Sequence, residues 1–206
     1  MWGNQTNECG KTKRVVTAKM LATELLAINA DAKAVYEGLS GHHLASRPDP
    51  TKWSIAEILA HLCATTEVFL PAVDCAVTET RRRGFVGSGP YHLGWYGRLL
   101  VWFVQPPPVI RLPTPKPLLP RLSASPEQIL EKFVVLQGAM IRRMEDASDL
   151  NLTKLRFSLP VASCVRMNLL EFFSVFNAHS RRHLWQAANV RRMVLINDTR
   201  ISGSSA

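Results

Sequence analysis

The chain has 206 residues, enough for one domain with a substantial core. Hydrophobic residues make up 47% and charged residues 20%, a globular balance that excludes disorder along the whole chain. The formal net charge of +9 would suit nucleic acid or anionic lipid. Its arginines, however, fall in scattered groups (Arg81-Arg82-Arg83, Arg142-Arg143, Arg181-Arg182, Arg191-Arg192) rather than one stripe, which favours a solvated basic surface over specific nucleic-acid binding.

Cys9, Cys63, Cys75 and Cys164 are widely spread and form no CxxC pair, so neither a zinc knuckle nor a disulfide framework is expected. A reducing cytoplasm is the expected location. The opening MWGNQTNECGKTKR is polar, with no secretory h-region behind it. The most apolar run, Leu99 to Val104, falls short of the ~20 residues that a membrane span needs. Residues 1–18 read as a leader without a sustained apolar seam, 19–195 as the folded unit and 196–206 as a flexible tail.

Leu21, Leu25, Ile28, Ala32, Val35 and Leu39 alternate steps of four and three, one apolar seam of a bundle helix. Gly41 is the predicted stop. The second helix opens at Trp53-Ser54-Ile55-Ala56-Glu57, where Ser54 and Glu57 form a capping box and Trp53 with Ile58 a hydrophobic staple. Two seams follow, one through Ile55, Leu59, Leu62, Phe69 and Val73, the other through Ile58, His61, Val68 and Ala72. A helix apolar on two seams packs on two sides, and Pro71 is expected to bend it.

From about residue 83 to residue 125 the pattern changes. YHLGWYGRLLVWFV reads as a short, very apolar helix, predicted to cover one end of the bundle with its other face toward substrate or a second subunit in a homodimer. QPPPVIRLPTPKPLLPRL can be neither helix interior nor central strand, and reads as an extended crossover between the second and third helices. Ser125-Pro126-Glu127-Gln128 starts the third helix, with its seam at Ile129, Phe133, Leu136, Met140 and Met144. LRFSLPVASCV is expected to be extended, and Asn168 to Glu171 repeats the start signature for the last helix. The predicted fold is therefore all-α, a four-helix bundle with a long crossover between helices 2 and 3 that carries a short apolar helix and a proline-rich extended segment.

The last helix carries Leu169, Phe172, Phe176, His179, His183, Gln186 and Val190 on one seam. His179 and His183, four residues apart, share a face, about 40° apart around an axis of ~3.6 residues per turn. An HxxxH pair alone fits a shared metal or buried structural histidines. His61, on an inward seam of another helix, adds a third imidazole that is costly to bury unsatisfied. A divalent cation would satisfy all three rings; the alternative is a mutually hydrogen-bonded cluster with water.

KWSIAEILAHL followed by Glu67 resembles the second helix of DinB-like proteins, and AHSRRHLWQA resembles their last helix. GRLLVWFVQPPP and SPEQILEKF also look like one branch of that superfamily. The resemblance spans about residue 20 to residue 193. It implies a bundle with a long connection between the second and third helices. It also implies that His61, His179 and His183 bind a nickel, zinc or iron ion. Gln186, one turn beyond His183, is the leading polar neighbour for such a site, with Glu57 and Glu67 as further candidates. No catalytic base stands out.

An open three-histidine site would suit a metal-dependent small-molecule enzyme, a hydrolase or a transferase of a low-molecular-weight thiol. The alternative is a non-catalytic, metal-stabilised bundle acting as a stress-response or interaction module. An accessible pocket beside the metal separates the first from the second.

Overall fold

A computed structural model describes residues 15–107, 113–122 and 124–203, with side chains placed through residue 198. Helix α1 (Ala18–Tyr36) starts at Thr17, whose hydroxyl accepts from the Met20 amide, and its seam of Leu21, Leu25, Ile28, Ala32 and Val35 is buried. The helix ends at Tyr36, ahead of the predicted stop. Gly38 supplies the turn with φ +74°, a left-handed conformation that side chains disfavour. Gly41 instead begins a short helix, α2 (Gly41–Ala45), capped by Ser40.

Helix α3 (Ile55–Arg82) carries the predicted capping box: Glu57 N donates to Ser54 Oγ, 3.2 Å, and Ser54 N donates to Glu57 Oε2, 2.9 Å. It continues through Pro71 for 28 residues. By length and composition α3 could cross a membrane, but it is the central helix of this fold, with Ile55, Ile58 and Leu62 fully buried. Helix α4 (Trp95–Val104) packs on the last helix. Its buried Gly97 permits that approach, since a Cβ there would stand 3.0 Å from Glu171 Cγ. Trp95, Leu99 and Trp102 remain exposed.

Helix α5 (Pro126–Asp146) has Ser125 as cap and Gln128 completing the box. Helix α6 runs from Leu169 to Gly203, and Asn168 and Glu171 each bond the other's amide at its start, 2.9 and 3.0 Å. The principal contacts join α1 to α5 and α6, and α3 to α5 and α6, so the four long helices close around one core. Phe133, Met140 and Met144 of α5 meet Leu25, Ile55, Leu62 and Phe173 in that core.

Three expectations change. The fold is mostly helical rather than all-α: β1 (Val15–Val16) pairs antiparallel with β2 (Tyr91–His92), and β3 (Arg156–Leu159) with β4 (Ala162–Asn168). The extended segment before α6 is thus a hairpin, its inward-facing backbone groups satisfied by pairing. Val15, Val16 and Thr17, assigned to the leader, take part in the fold through pairing and capping; residues 1–14 lie outside the described residues. Helix α6 continues past residue 195 to Gly203, into the segment read as tail, of which residues 204–206 lie outside the described residues. So do residues 108–112 of the proline-rich run; its described part includes a 3-10 turn at Lys116–Leu118.

Candidate metal centre

The two seams that carry histidine face each other where α3 packs on α6. His61 is 2% exposed, and His179 and His183 are half-buried. One ring nitrogen of each lies within 4.8 Å of the others, and His61 Nε2 is 3.4 Å from His179 Nε2. Ring centroids are 4.5 Å apart for His61–His183 and His179–His183, and 5.3 Å for His61–His179.

The hydrogen bonds set the tautomers. His61 Nδ1 lies 2.6 Å from the Leu118 carbonyl oxygen, which can only accept, so Nδ1 carries the proton and Nε2 keeps its lone pair. His183 Nδ1 donates to Gln186 Oε1, 3.1 Å, which leaves its Nε2 lone pair as well. His179 Nδ1 is buried with no partner. A neutral His179 can donate at most one proton, so three neutral rings bonded to one another leave an acceptor without a donor.

Protonation does not resolve this. Burial lowers the His61 pKa against the opposing Leu118 carbonyl. Burial, with His61 and Arg182 nearby, brings His179 down to about 3. Burial first, then His179 and His61, holds His183 well below the ordinary histidine range. Three neutral imidazoles on two helices, with His61 and His183 fixed in tautomer, are a donor set that suits a borderline divalent ion.

Of the polar neighbours expected from sequence, only Gln186 joins the site. The Glu57 carboxylate is occupied by the Ser54 amide and by Arg47, whose Nε donates to Glu57 Oε2 at 2.8 Å. Burial would raise its pKa, but Arg47 and Ser54 outweigh burial and lower it. Glu67 pairs with Lys132 at the surface, 2.8 Å, away from the rings. His43 bonds Asp198, 2.7 Å, and neither His42 nor His92 belongs to the cluster.

Two contributors escaped the sequence reading. The Leu118 carbonyl comes from the proline-rich run, and no side-chain pattern marks a backbone oxygen. Trp53, read as a staple residue, lies 5.1 Å from His61 and near-parallel to His183 at 6.3 Å, centroid to centroid. Beside these rings is a cavity of about 460 Å³, lined by Trp53, His183 and Gln186 among others.

The DinB superfamily model matches residues 24–187. The chain belongs to the DinB superfamily. Among solved structures, this DinB chain is similar to YfiT from Bacillus subtilis, described as a probable metal-dependent hydrolase with an unusual four-helix bundle topology. The TM-score is 0.55 at 16% identity, covering 85% of this chain and 86% of that one, a likeness of fold. No curated protein matches the sequence.

Proposed function

We propose that His61, His179 and His183 hold a divalent metal ion, and that this DinB protein is a metal-dependent enzyme acting on small molecules. The carrying observation is the conjunction of three clustered neutral imidazoles, two of them fixed in tautomer, with a cavity that reaches one of them, His183. A closed structural site would need no such opening. A bound divalent ion supplies Lewis acidity toward a carbonyl, a water or a thiol.

The chain's own groups prepare that chemistry. Leu118 O and Gln186 Oε1 hold the His61 and His183 rings in the tautomer that leaves Nε2 free for an ion. Burial keeps all three rings neutral. Trp53 covers His61 and His183 on one side. Among the described residues no carboxylate lines the cavity. That favours transfer of a low-molecular-weight thiol, whose proton would pass to solvent near neutral pH without a positioned base, over hydrolysis, in which the less acidic water gains more from one.

The test is metal analysis of protein purified without an affinity tag, followed by assay of the zinc-, nickel- and iron-loaded forms with thiol plus electrophile and with ester or amide substrates. About one ion per chain and metal-dependent turnover of either class are expected. Full metal occupancy with no turnover of either class would leave a metal-stabilised bundle. Absence of stoichiometric metal under every loading condition would remove the site.

A further inference from the structure

The cavity beside His183 has an asymmetric lining. Helix α6 contributes Arg182, Trp185, Asn189 and Met193 in steps of three and four, the loop before α3 contributes Lys52 and Trp53, and Thr114 closes the wall. Among the described residues, two cations therefore line the cavity and no acid does. The neighbouring Asp49 carboxylate lies outside the lining and accepts from Thr51 N and Oγ1, 2.8 and 2.6 Å. Arg182 Nη1 donates to the Phe103 carbonyl, 3.4 Å, which holds the guanidinium at the rim. Trp53 and Trp185 are half-buried and supply flat apolar surface. The volume of about 460 Å³ is that of a small-molecule site.

We propose that this cavity selects a small molecule carrying a carboxylate, its anionic end held by Lys52 and Arg182 and its flat apolar part laid against Trp53 and Trp185. The inference rests on the reading that the cavity is the substrate's approach to the histidine centre. A carboxylate fits better than a phosphate. Among the described residues no glycine lines the cavity to let backbone amides cradle a phosphate, and the Ser54 and Glu57 amides at the start of α3 are taken up by their own capping box. The fork of Arg182 matches two carboxylate oxygens, and Lys52 adds a point charge.

Calorimetry on the full chain, both chelator-treated and zinc-loaded, tests this with indole-3-acetate and indole-3-acetamide, which differ in charge and hardly in shape. The acid is expected to bind about tenfold more tightly than the amide in both forms, a difference of ~1.4 kcal/mol, and the gap should narrow with salt. Lys52→Gln and Arg182→Gln should each reduce the affinity for the acid several-fold. In Lys52→Gln, affinity for the amide, zinc content and melting temperature should stay as in the parent, whereas Arg182→Gln, which also loses the bond to Phe103, is read by its acid-to-amide ratio. Equal binding of the two probes, binding of neither at millimolar concentration, or a preference that survives both substitutions would overturn the proposal. A preference confined to the zinc-loaded form would also overturn it, placing the anion on the metal and leaving the metal reading intact. A preference in protein that takes up no zinc would support this proposal while removing the metal reading. If Arg182→Gln fails to fold, Lys52→Gln alone decides.

Discussion

His61 Nδ1 donates to the Leu118 carbonyl over 2.6 Å, joining two residues 57 apart in sequence. That bond fixes the His61 tautomer, and it makes the proline-rich run part of the centre. Buried Leu118 anchors the run against α3 and brings its oxygen to the ring.

Alanine at His61, His179 or His183 should lower metal occupancy sharply. Each removes one of three donors, and two remaining imidazoles hold an ion far less tightly. Alanine at His42, His43 or His92 should leave occupancy unchanged, although losing His43 breaks its bond to Asp198. Metal content by elemental analysis is the measurement, and full occupancy in all three triad variants would show that these rings are core histidines.

Gln186 accepts from His183 Nδ1 at 3.1 Å, so Gln186→Leu frees the ring to turn or change tautomer. Metal affinity should fall about tenfold or more. Gln186→Glu keeps an acceptor and should retain most of the affinity. Competition with a chromogenic chelator reads both, and equal loss in the two variants would point to packing rather than to the hydrogen bond.

Glu57→Gln should destabilise the chain at neutral pH without changing metal occupancy, because glutamine can still close the α3 box, as Gln128 does in α5, but loses the charge paired with Arg47. With Arg47 half exposed, losing that pair costs roughly 1 kcal/mol or less. Against burial, Arg47 and Ser54 hold the Glu57 carboxyl below its ordinary 4.5, so its contribution is fully present above that value and is lost as pH falls through the folded-state value. Melting temperatures of chelated parent and variant should therefore differ above pH 4.5 and converge below it. A gap that is constant across that range would mean that the Glu57 charge is not involved.

Duplex and single-stranded DNA should bind weakly and lose affinity steeply with salt. Several arginines behind the +9 charge are engaged within the fold: Arg82 and Arg83 with Glu79, Arg143 with Asp74, Arg181 with Glu24, and Arg191 with the Val35 and Glu37 carbonyls. Sequence-selective, sub-micromolar binding at physiological salt, read by fluorescence anisotropy, would contradict this.

Helix starts were legible because Ser54, Ser125 and Asn168 each satisfy free amides together with a residue three places on, a local interaction that the sequence displays directly. The three rings were legible because helical periodicity places each on a buried face. The stop of α1 was missed because Gly38 and Gly41 both offer a turn, and the cap at Ser40 decides between them. The pairing of Val15 with His92 joins segments far apart in the chain, and two-residue strands carry no period to read. Glu57 and Glu67 sit near His61 in sequence, yet Arg47 and Lys132 draw them elsewhere.

Helix α6 supplies two of the three rings and most of the cavity wall, so one rigid rod links metal binding to what the cavity admits. A change that turns or slides α6 alters both at once, and such changes are poorly suited to adjusting either alone. The independently adjustable parts are the Lys52–Trp53 approach and the stretch from Thr114 to Leu118, which reach the same space from outside the rod. Diversification of this scaffold toward new substrates is therefore expected to concentrate in those two loops, with α6 conserving the geometry against which they vary.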